Sequence, residues 1–333
     1  MVRRAIVAVL SLALLVTGWV LTRPDTAPFE LRQFAGGDAP TLGPGARLFG
    51  NPDAQAVQWV AEHPGDGRTP AVLAGLADRP VARWFTEPTA EVGAQVDAYV
   101  DQASITGATP VVVAYAIPDR DCGQYSSGGA EDAAAYRSWI RSFAEGIGTR
   151  RAVVVLEPDS LVHFDCLDDE QVAEREALLA DATAVLADSA PRSEVFLDGS
   201  AANWSIDAHE LADRLVASGI ADADGIALGV SAYTDTDTAV AFGRETARAL
   251  ARETGQQLDL VVDTSRNGTG TRDWCNPDGQ RVGAPPTTDP GLGDDVLALL
   301  WIKPPGESDG DCGIGAGTVS GQFDPDLAVR LVG

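Results

Sequence analysis

The sequence predicts a single α/β domain folded as a parallel β/α barrel, and three observations support this prediction. Short, almost wholly apolar runs alternate along the chain with segments that have helical apolar spacing. Continuous apolar strands that alternate with helices indicate a parallel sheet covered on both faces. The length of 333 residues suits one barrel-sized core. Neither a GxGxxG turn nor a Walker-type loop is present, so a nucleotide-binding sheet has no local support.

The strands and helices follow one another in a regular order. The predicted strands are residues 109–115, 151–157, 193–198, 224–233, 258–263 and 296–304. The predicted helices between them are residues 131–147, 170–188, 206–218 and 238–254. Parallel strands of a barrel place their carboxyl ends on one rim, so we expect the residues that follow these strands to lie close together.

The N-terminal segment has the composition of an export signal. Arg3 and Arg4 precede an apolar run over residues 5–21, which is typical of a signal peptide or of an uncleaved membrane anchor. We assign residues 1–23 to one of these two, residues 24–45 to a flexible lead-in, and residues 46–333 to the folded domain. In both cases the domain is expected outside the cytoplasm, either secreted or tethered to the outer face of a membrane.

Cysteine usage agrees with export. The chain has four cysteines, Cys122, Cys166, Cys275 and Cys312. An even number in an exported chain predicts disulfides, and four cysteines allow three pairings. No CxxC motif or cysteine–histidine cluster is present, so we expect no zinc site.

The charge of the chain excludes one class of partner. A formal net charge of -25 argues against binding to nucleic acid, whose phosphates need clustered lysine and arginine. A neutral polysaccharide is compatible with this charge. The chain is expected to be a monomer by default.

Acidic side chains follow five of the predicted strands. They are Asp121, Asp159, Asp198, Asp263, and Glu307 with Asp309. Any one of them is equally explained as a turn residue or a helix cap, but that explanation does not account for the whole set. Crowded carboxylates repel one another, so at least one should have a raised pKa and keep a proton near neutral pH. Glycoside hydrolysis is the reaction usually carried out by paired carboxylates alone.

A divalent-metal site is the main alternative for an acidic rim, because hard cations bind several oxygens. Asp235 and Asp237 alternate as in a calcium loop, but the required glycine and closing glutamate are missing. We therefore interpret this segment as a polar loop, and we expect neither a metal nor another cofactor.

Tryptophans in polar loops point to a saccharide cleft. Trp84, Trp204 and Trp274 lie among polar residues, and indole faces stack on the apolar faces of sugar rings. Trp139, at helical spacing, is better explained as a core residue, and Trp19 belongs to the N-terminal segment.

With these residues established, the chain resembles glycoside hydrolase family 6, the endoglucanases and cellobiohydrolases that act on cellulose. The resemblance covers residues 45–333 and rests on motifs in a fixed order. These are YAIPDRDC (115–122), LEPDSL (156–161), VDTSRNG (262–268), DWC (273–275) and WIKPPGESDG (301–310). It implies a distorted barrel with fewer than eight strands and an inverting mechanism.

The resemblance also implies roles for individual residues. Asp159 would be the general acid, and Asp121 would raise its pKa and assist water activation through a water chain that touches Ser127. Tyr115 would press on the distorted sugar, and Asp309 matches the position of a proposed base. The residues expected to bind the β-glucan substrate are Trp84, Asp198, Trp204, Trp274, Lys303 and Glu307. The implied disulfides join Cys122 to Cys166 and Cys275 to Cys312.

The spacing of the last motif favours cleavage inside the polymer. Only Gly310 and Asp311 separate Asp309 from Cys312, where cellobiohydrolases of this family carry a long insertion that roofs the site. We therefore expect an open cleft and an endo-β-1,4-glucanase.

The chain departs from the family at two places. Ala201 stands where a histidine is usual, and Gly229 and Ala232 replace asparagines. These changes put the substrate preference in question. The main rival is a catalytically weak or inactive glucan-binding protein on the same scaffold. A metal-dependent isomerase or an aldolase would need a histidine cluster or a suitably placed second lysine, which the sequence does not offer.

Overall fold

The computed structural model describes residues 40–333 except residues 203 and 205. The described residues form one compact unit. The predicted signal peptide or anchor and residues 24–39 of the lead-in lie outside the described residues. Residues Thr41 and Leu42, which the sequence places in the lead-in, are buried against the domain, and their N–H groups donate to the Glu194 carboxylate.

Seven strands form the sheet. They are β1 (Arg83–Phe85), β2 (Val111–Ala114), β3 (Ala152–Leu156), β4 (Ser193–Asp198), β5 (Gly225–Leu228), β6 (Asp259–Asp263) and β7 (Val296–Leu300). The α-helices are α1 (Gln55–Glu62), α2 (Thr69–Val72), α3 (Val92–Thr106), α4 (Ala133–Ile147), α5 (Asp169–Ser189), α6 (Ala208–Ala217), α7 (Thr236–Thr254) and α8 (Pro325–Val332).

All neighbouring strands pair in parallel, in the order β1 to β7. The predicted fold class, a distorted parallel β/α barrel with fewer than eight strands, is therefore confirmed. Close to the two sheet edges, the N–H of Ala82 donates to the carbonyl of Trp301 (2.9 Å), which links the start of β1 to the end of β7.

The strands have apolar residues on both faces because the sheet separates two cores. Val112 and Val154 pack outward against the helices, in the larger core. Val113 and Val155 point inward and fill the barrel with Phe196. Successive side chains of a strand alternate between the two faces, so burial on both faces gives the continuous apolar runs of the sequence.

The four predicted helices are present within two residues of their predicted ends. Their starts are fixed by Asp132, Asp168, Asp207 and Asp235, whose carboxylates accept first-turn N–H groups. The polar-loop interpretation around Asp235 is corrected here, because Asp235 caps α7 and Asp237 lies in its first turn.

The sequence did not predict β1 or helices α1, α2, α3 and α8. Strand β1 has only three residues and is partly exposed, so it shows neither an apolar run nor clear alternation. Cys122 pairs with Cys166 and Cys275 with Cys312, with Cα–Cα distances of 5.6 and 5.9 Å, as the resemblance implied. Among the described residues, no helix has the length and apolarity needed to cross a membrane.

Candidate active site

The carboxyl ends of the strands meet at one rim, and three acidic residues there tie neighbouring strands together. Glu157, after β3, accepts the N–H groups of Ala116 and Ile117 after β2. Asp198, at the end of β4, accepts the N–H of Asp159 (2.9 Å). Asp263, at the end of β6, accepts four N–H groups, which belong to Ser231, Ser265, Ile302 and Lys303. These buried carboxylates fix the rim rather than face the solvent.

The same rim contains several non-glycine residues with positive φ. They are Asp119 (53°), Asp121 (57°), Cys122 (48°), Glu157 (47°), Asp159 (69°), Ser200 (58°) and Ser231 (61°). Left-handed backbone at such residues is strained and persists only where the surroundings enforce it. Three of them, Asp159, Ser200 and Ser231, donate their N–H groups to the Asp198 and Asp263 carboxylates, which helps to hold them in this conformation.

Asp159 lies close to two other carboxyl groups, those of Asp198 and Asp121. Its side chain is half-buried, and burial raises the pKa of its carboxyl well above the ordinary range. The charges of Asp198 and Asp121 raise the pKa further, while Lys303 and Arg266 oppose them. Asp159 therefore keeps its proton at a pH where an exposed aspartate has lost it.

Asp198 lies beneath Asp159 and is 2% exposed. Burial raises the pKa of its carboxyl to about 7, although the N–H groups of Asp159 and Ser200 stabilise the ionised form. The structure thus brings Asp198 into contact with the backbone of the acid.

Asp121 lies in the loop after β2 and contacts two groups. Its Oδ2 accepts the N–H of Ser126 (2.6 Å), and its Oδ1 is 3.7 Å from Nε2 of His163. Ser127, the residue predicted to touch a water chain, is exposed in the same loop.

Asp309 is buried and engaged in an ion pair. Arg266 contacts its Oδ1 at 2.7 Å and its Oδ2 at 3.0 Å. The hydroxyl of Tyr233 (3.3 Å) and the N–H of Asn276 (3.0 Å) also donate to Oδ2. In return, the N–H of Asp309 donates to the Asn276 side chain.

Lys303 and Glu307 follow β7 on the same rim. The side chain of Gln55 donates to Oε1 of Glu307 (2.8 Å). Burial raises the pKa of Glu307, and the nearby Lys303 charge lowers it. Both side chains are half-buried, so each keeps polar atoms available to a ligand.

The predicted aromatic residues occupy three separate places on the rim. Trp84 packs edge-on against Tyr115, with ring centroids 5.3 Å apart, and its indole N–H donates to the carbonyl of Ile302. Trp204 lies 5.8 Å from the His163 ring. Trp274 is 46% exposed, and its ring lies 6.0 Å from that of Tyr125.

The loops after β2 and β7 contact each other. Tyr125 donates its hydroxyl to the carbonyl of Asp311 (3.2 Å), and the Ser126 and Ser320 hydroxyls are 2.9 Å apart. Gly310 lies under the Tyr125 ring, where an added Cβ would lie 2.5 Å from a ring carbon. We call these contacts, with the Tyr125–Trp274 ring pair, the loop bridge.

The sequence did not single out Glu157, His163, Arg266 or Tyr125 as parts of the site. Glu157 and Arg266 lie inside the quoted motifs, and a basic residue shortly after a strand that ends in an aspartate was the available signal for an ion pair. His163 and Tyr125 lie three residues from Cys166 and Cys122 respectively, and the pairing of these two cysteines, which brings their loops together, was only implied by the resemblance.

The positions that depart from the family lie inside the fold. Ala201 and Ala232 are 2% and 3% exposed, and Gly229 has a φ of 64°. The carbonyl of Ala201 accepts the N–H of Trp204 (3.0 Å), so this alanine lies in the same turn as the tryptophan.

The described part of the chain contains no cluster of three or more histidine, cysteine or acidic side chains arranged to hold a metal ion. What it does contain is a carboxyl group with a raised pKa, that of Asp159, beside two further carboxylates and near aromatic rings. Such an arrangement is suited to proton transfer to a glycosidic oxygen.

Comparison with known proteins agrees with this chemistry. A family model described as "Glycosyl hydrolases family 6" matches residues 44–325. Endoglucanase 1 of Streptomyces halstedii is 43% identical over 287 residues, which cover 86% of this chain and 88% of that protein. Endoglucanase A of Thermobispora bispora is 39% identical over 290 residues, which cover 85% of this chain but only 61% of that protein.

A solved structure has the same fold. It is described as the endoglucanase Cel6 from Mycobacterium tuberculosis in complex with methyl-cellobiosyl-4-deoxy-4-thio-β-D-cellobioside. The TM-score is 0.80 and the sequence identity 35%, and the match covers 88% of this chain and 98% of that chain.

Proposed function

Because the chain belongs to glycosyl hydrolase family 6 and is a cellulase, we propose that it is an inverting endo-β-1,4-glucanase with Asp159 as its general acid. The observation that carries the proposal is the raised pKa of Asp159, which has a physical cause in burial and in the two neighbouring carboxylates. A perturbed carboxyl group on the functional rim of a barrel is a strong candidate for the acid.

In this proposal Asp159 protonates the glycosidic oxygen as the bond to the anomeric carbon breaks, and water attacks that carbon from the opposite face. The negative charge of Asp121 keeps the proton on Asp159 until the leaving oxygen takes it. Asp198 acts through Asp159, because it is buried beneath the acid and holds its backbone N–H.

Water activation has two candidate routes. Asp121 is partly exposed and accepts the N–H of Ser126, the residue before the exposed Ser127, which suits a short water chain. Asp309 is the other candidate base, but Arg266, Tyr233 and Asn276 already occupy its carboxylate oxygens. We therefore assign activation of the attacking water to Asp121 and Ser127. Asp309 instead stabilises the rim through its ion pair with Arg266.

The substrate in this proposal is a β-1,4-glucan. Trp84 with Tyr115, Trp204 and Trp274 provide aromatic faces at three places along the rim, and aromatic faces stack on sugar rings. Lys303 and Glu307 are placed to bind hydroxyl groups between them. The cellobioside analogue named for the M. tuberculosis structure is a ligand of this type.

Two observations support internal cleavage. Only two residues separate Asp309 from Cys312, and the loop bridge consists of one half-exposed ring pair, two hydrogen bonds and the contact of the Tyr125 ring with Gly310. In this proposal these few contacts give way to admit the middle of a polymer. The relatives at 43% and 39% identity are both named endoglucanases.

An extracytoplasmic location is part of the proposal. Two disulfides brace the site loops, and disulfides persist in oxidising compartments. The predicted N-terminal signal or membrane tether and the monomeric state remain predictions.

The direct test is proton NMR of cellopentaose during digestion by the wild type and by Asp159→Asn. The wild type should release the α-anomer first. The variant should lose a factor of about 10²–10⁴ in kcat, because the proton donor is gone. The loss should be much smaller on an aryl cellobioside whose leaving group needs no protonation. That comparison separates loss of the acid from loss of the fold.

Early release of the β-anomer would disprove inversion, and a variant within tenfold of the wild type on cellopentaose would disprove the assignment of the acid. If the wild type binds glucan but cleaves none, the binding-protein alternative replaces the proposal. For the endo assignment, digestion should lower the viscosity of soluble cellulose well before much cellobiose appears.

A further inference from the structure

His163 lies between the two loops that carry the predicted acid and its neighbour. It follows Asp159 by four residues, in the loop after β3. The disulfide from Cys122 to Cys166 joins this loop to the loop that carries Asp121. Arg175 of α5 donates to the carbonyls of His163 (3.0 Å) and Asp119 (2.9 Å), so the backbone of both loops is fixed by one side chain.

The two oxygens of Asp121 face different partners. Oδ2 accepts the N–H of Ser126 (2.6 Å), and Oδ1 lies 3.7 Å from Nε2 of His163. The two side chains are only 29% and 13% exposed, so solvent screens the charge pair incompletely. The other face of the imidazole lies against Trp204, with ring centroids 5.8 Å apart. The imidazole therefore has little freedom to turn away.

The charged groups around His163 come from three elements. Asp121 belongs to the loop after β2, Asp165 to the histidine's own loop, and Arg175 to α5. Burial lowers the pKa of His163 below its ordinary value, the two aspartates oppose this shift, and Arg175 adds to it. Trp204, from the loop after β4, is uncharged. His163 is consequently neutral in alkaline solution and becomes an imidazolium on the acid side.

We propose that His163 is a positioning residue for Asp121: it holds that carboxylate in place and, as an imidazolium, adds a positive charge beside it, which extends hydrolysis to lower pH. An imidazolium beside Asp121 favours the charged carboxylate, because opposite charges at this distance stabilise each other. Ser126 donates to one carboxylate oxygen of Asp121, and His163 lies beside the other. The inference rests on the proposed function, since it assumes that ionised Asp121 is needed for turnover.

The first test is the pH dependence of kcat/KM on cellopentaose for His163→Gln, a side chain of similar reach that never becomes charged. At pH 5 the variant should lose roughly three- to tenfold in kcat/KM, and at pH 8 less than twofold, because both side chains are then neutral. His209→Gln is the matched control. His209 is exposed at the start of α6, and its substitution should leave the profile unchanged.

The second test measures the pair without using activity. The imidazole signals of His163 are followed by NMR across pH in the wild type and in Asp121→Asn. Loss of the carboxylate should lower the pH at which His163 titrates, by roughly half a unit to one unit. His209 serves as an internal reference that should not move.

A loss of equal size at all pH values in His163→Gln would reduce His163 to a structural role, and an unchanged His163 titration in Asp121→Asn would exclude the pair. Either result overturns the inference. Neither touches the proposed function, which fails instead if the wild type releases the β-anomer or if Asp159→Asn keeps its activity.

Discussion

At the scale of single residues, four acidic side chains of one rim differ because their surroundings differ. Asp159 is flanked by carboxylates and keeps its proton. Asp198 is buried against backbone N–H groups, Asp309 is neutralised by Arg266, and Asp121 is partly exposed between Ser126 and His163. Different surroundings give neighbouring carboxyl groups different pKa values, and this difference allows one to act as an acid and another as a base.

Replacement of Asp198 by asparagine tests how the acid keeps its proton. The amide oxygen can still accept the N–H of Asp159, but the negative charge beneath the acid is lost. Asp159 should then release its proton more easily, and the alkaline limb of the kcat/KM profile should move to lower pH by about one unit. The acid limb should change little, because Asp198, with a pKa of about 7, is protonated there in the wild type.

The control for this prediction is Asp207→Asn, since Asp207 is an exposed helix cap and asparagine caps equally well. An alkaline limb that stays in place in Asp198→Asn would show that the charge of Asp198 does not help Asp159 to keep its proton.

At the scale of elements, the rim loops depend on ties between strands more than on their own conformations. Glu157, Asp198 and Asp263 each accept N–H groups from the neighbouring strand end. Two disulfides then fix the loops after β2, β3, β6 and β7. The loop bridge is the exception, because Tyr125 and Trp274 are about half-exposed and few hydrogen bonds hold them together.

Removal of the Tyr125 ring tests whether the loop bridge limits access to the cleft. Tyr125→Ala should raise the rate at which soluble cellulose loses viscosity, relative to the rate on cellotetraose, by about two- to fivefold. The reason is that an aromatic pair of this kind contributes about 1 kcal/mol to closure. Tyr125→Phe keeps the ring contact and loses only the hydrogen bond to Asp311, so its ratio should stay near that of the wild type. An unchanged ratio in Tyr125→Ala would mean that the bridge does not control entry.

At the scale of the whole molecule, burial of carboxyl groups links folding to pH. Burial raises the pKa of Glu157, Glu194 and Asp198 to about 7, and that of Asp259 to about 6. In an unfolded chain these groups titrate near 4. Between about pH 4 and 7 the folded protein therefore binds more protons than the unfolded one, and the free energy of unfolding falls as the pH rises.

We expect the midpoint of thermal unfolding to be several degrees higher at pH 5 than at pH 8, measured by calorimetry. Glu194→Gln isolates one contribution far from the active site, since Glu194 lies near the start of β4 and holds Thr41 and Leu42. Because Glu194 is partly exposed, its share is about 2 kcal/mol at most. The variant should show a smaller pH dependence with normal activity. A midpoint that rises from pH 5 to pH 8 would contradict this account.

Much of the fold was predictable because it depends on local patterns. Apolar runs identified β2 to β7, and apolar spacing identified the four helices within two residues of their observed ends. Strand β1 was missed because it has three residues and gains its stability from pairing with β2, a contact that leaves no mark in the local pattern. The motifs located most of the rim residues, but not which of them face the cleft.

The sequence by itself determined the fold class, the alternation of strands and helices, most of the acidic rim residues and the family. These follow from residue type and spacing, which are local properties of the chain. Only the tertiary structure decided that three rim carboxylates, those of Glu157, Asp198 and Asp263, accept hydrogen bonds from the backbone. It also decided that Asp309 is paired with Arg266 and that His163 lies beside Asp121. The physical reason is that proton affinity and ion pairing depend on burial and on distances of a few ångströms between residues far apart in the chain.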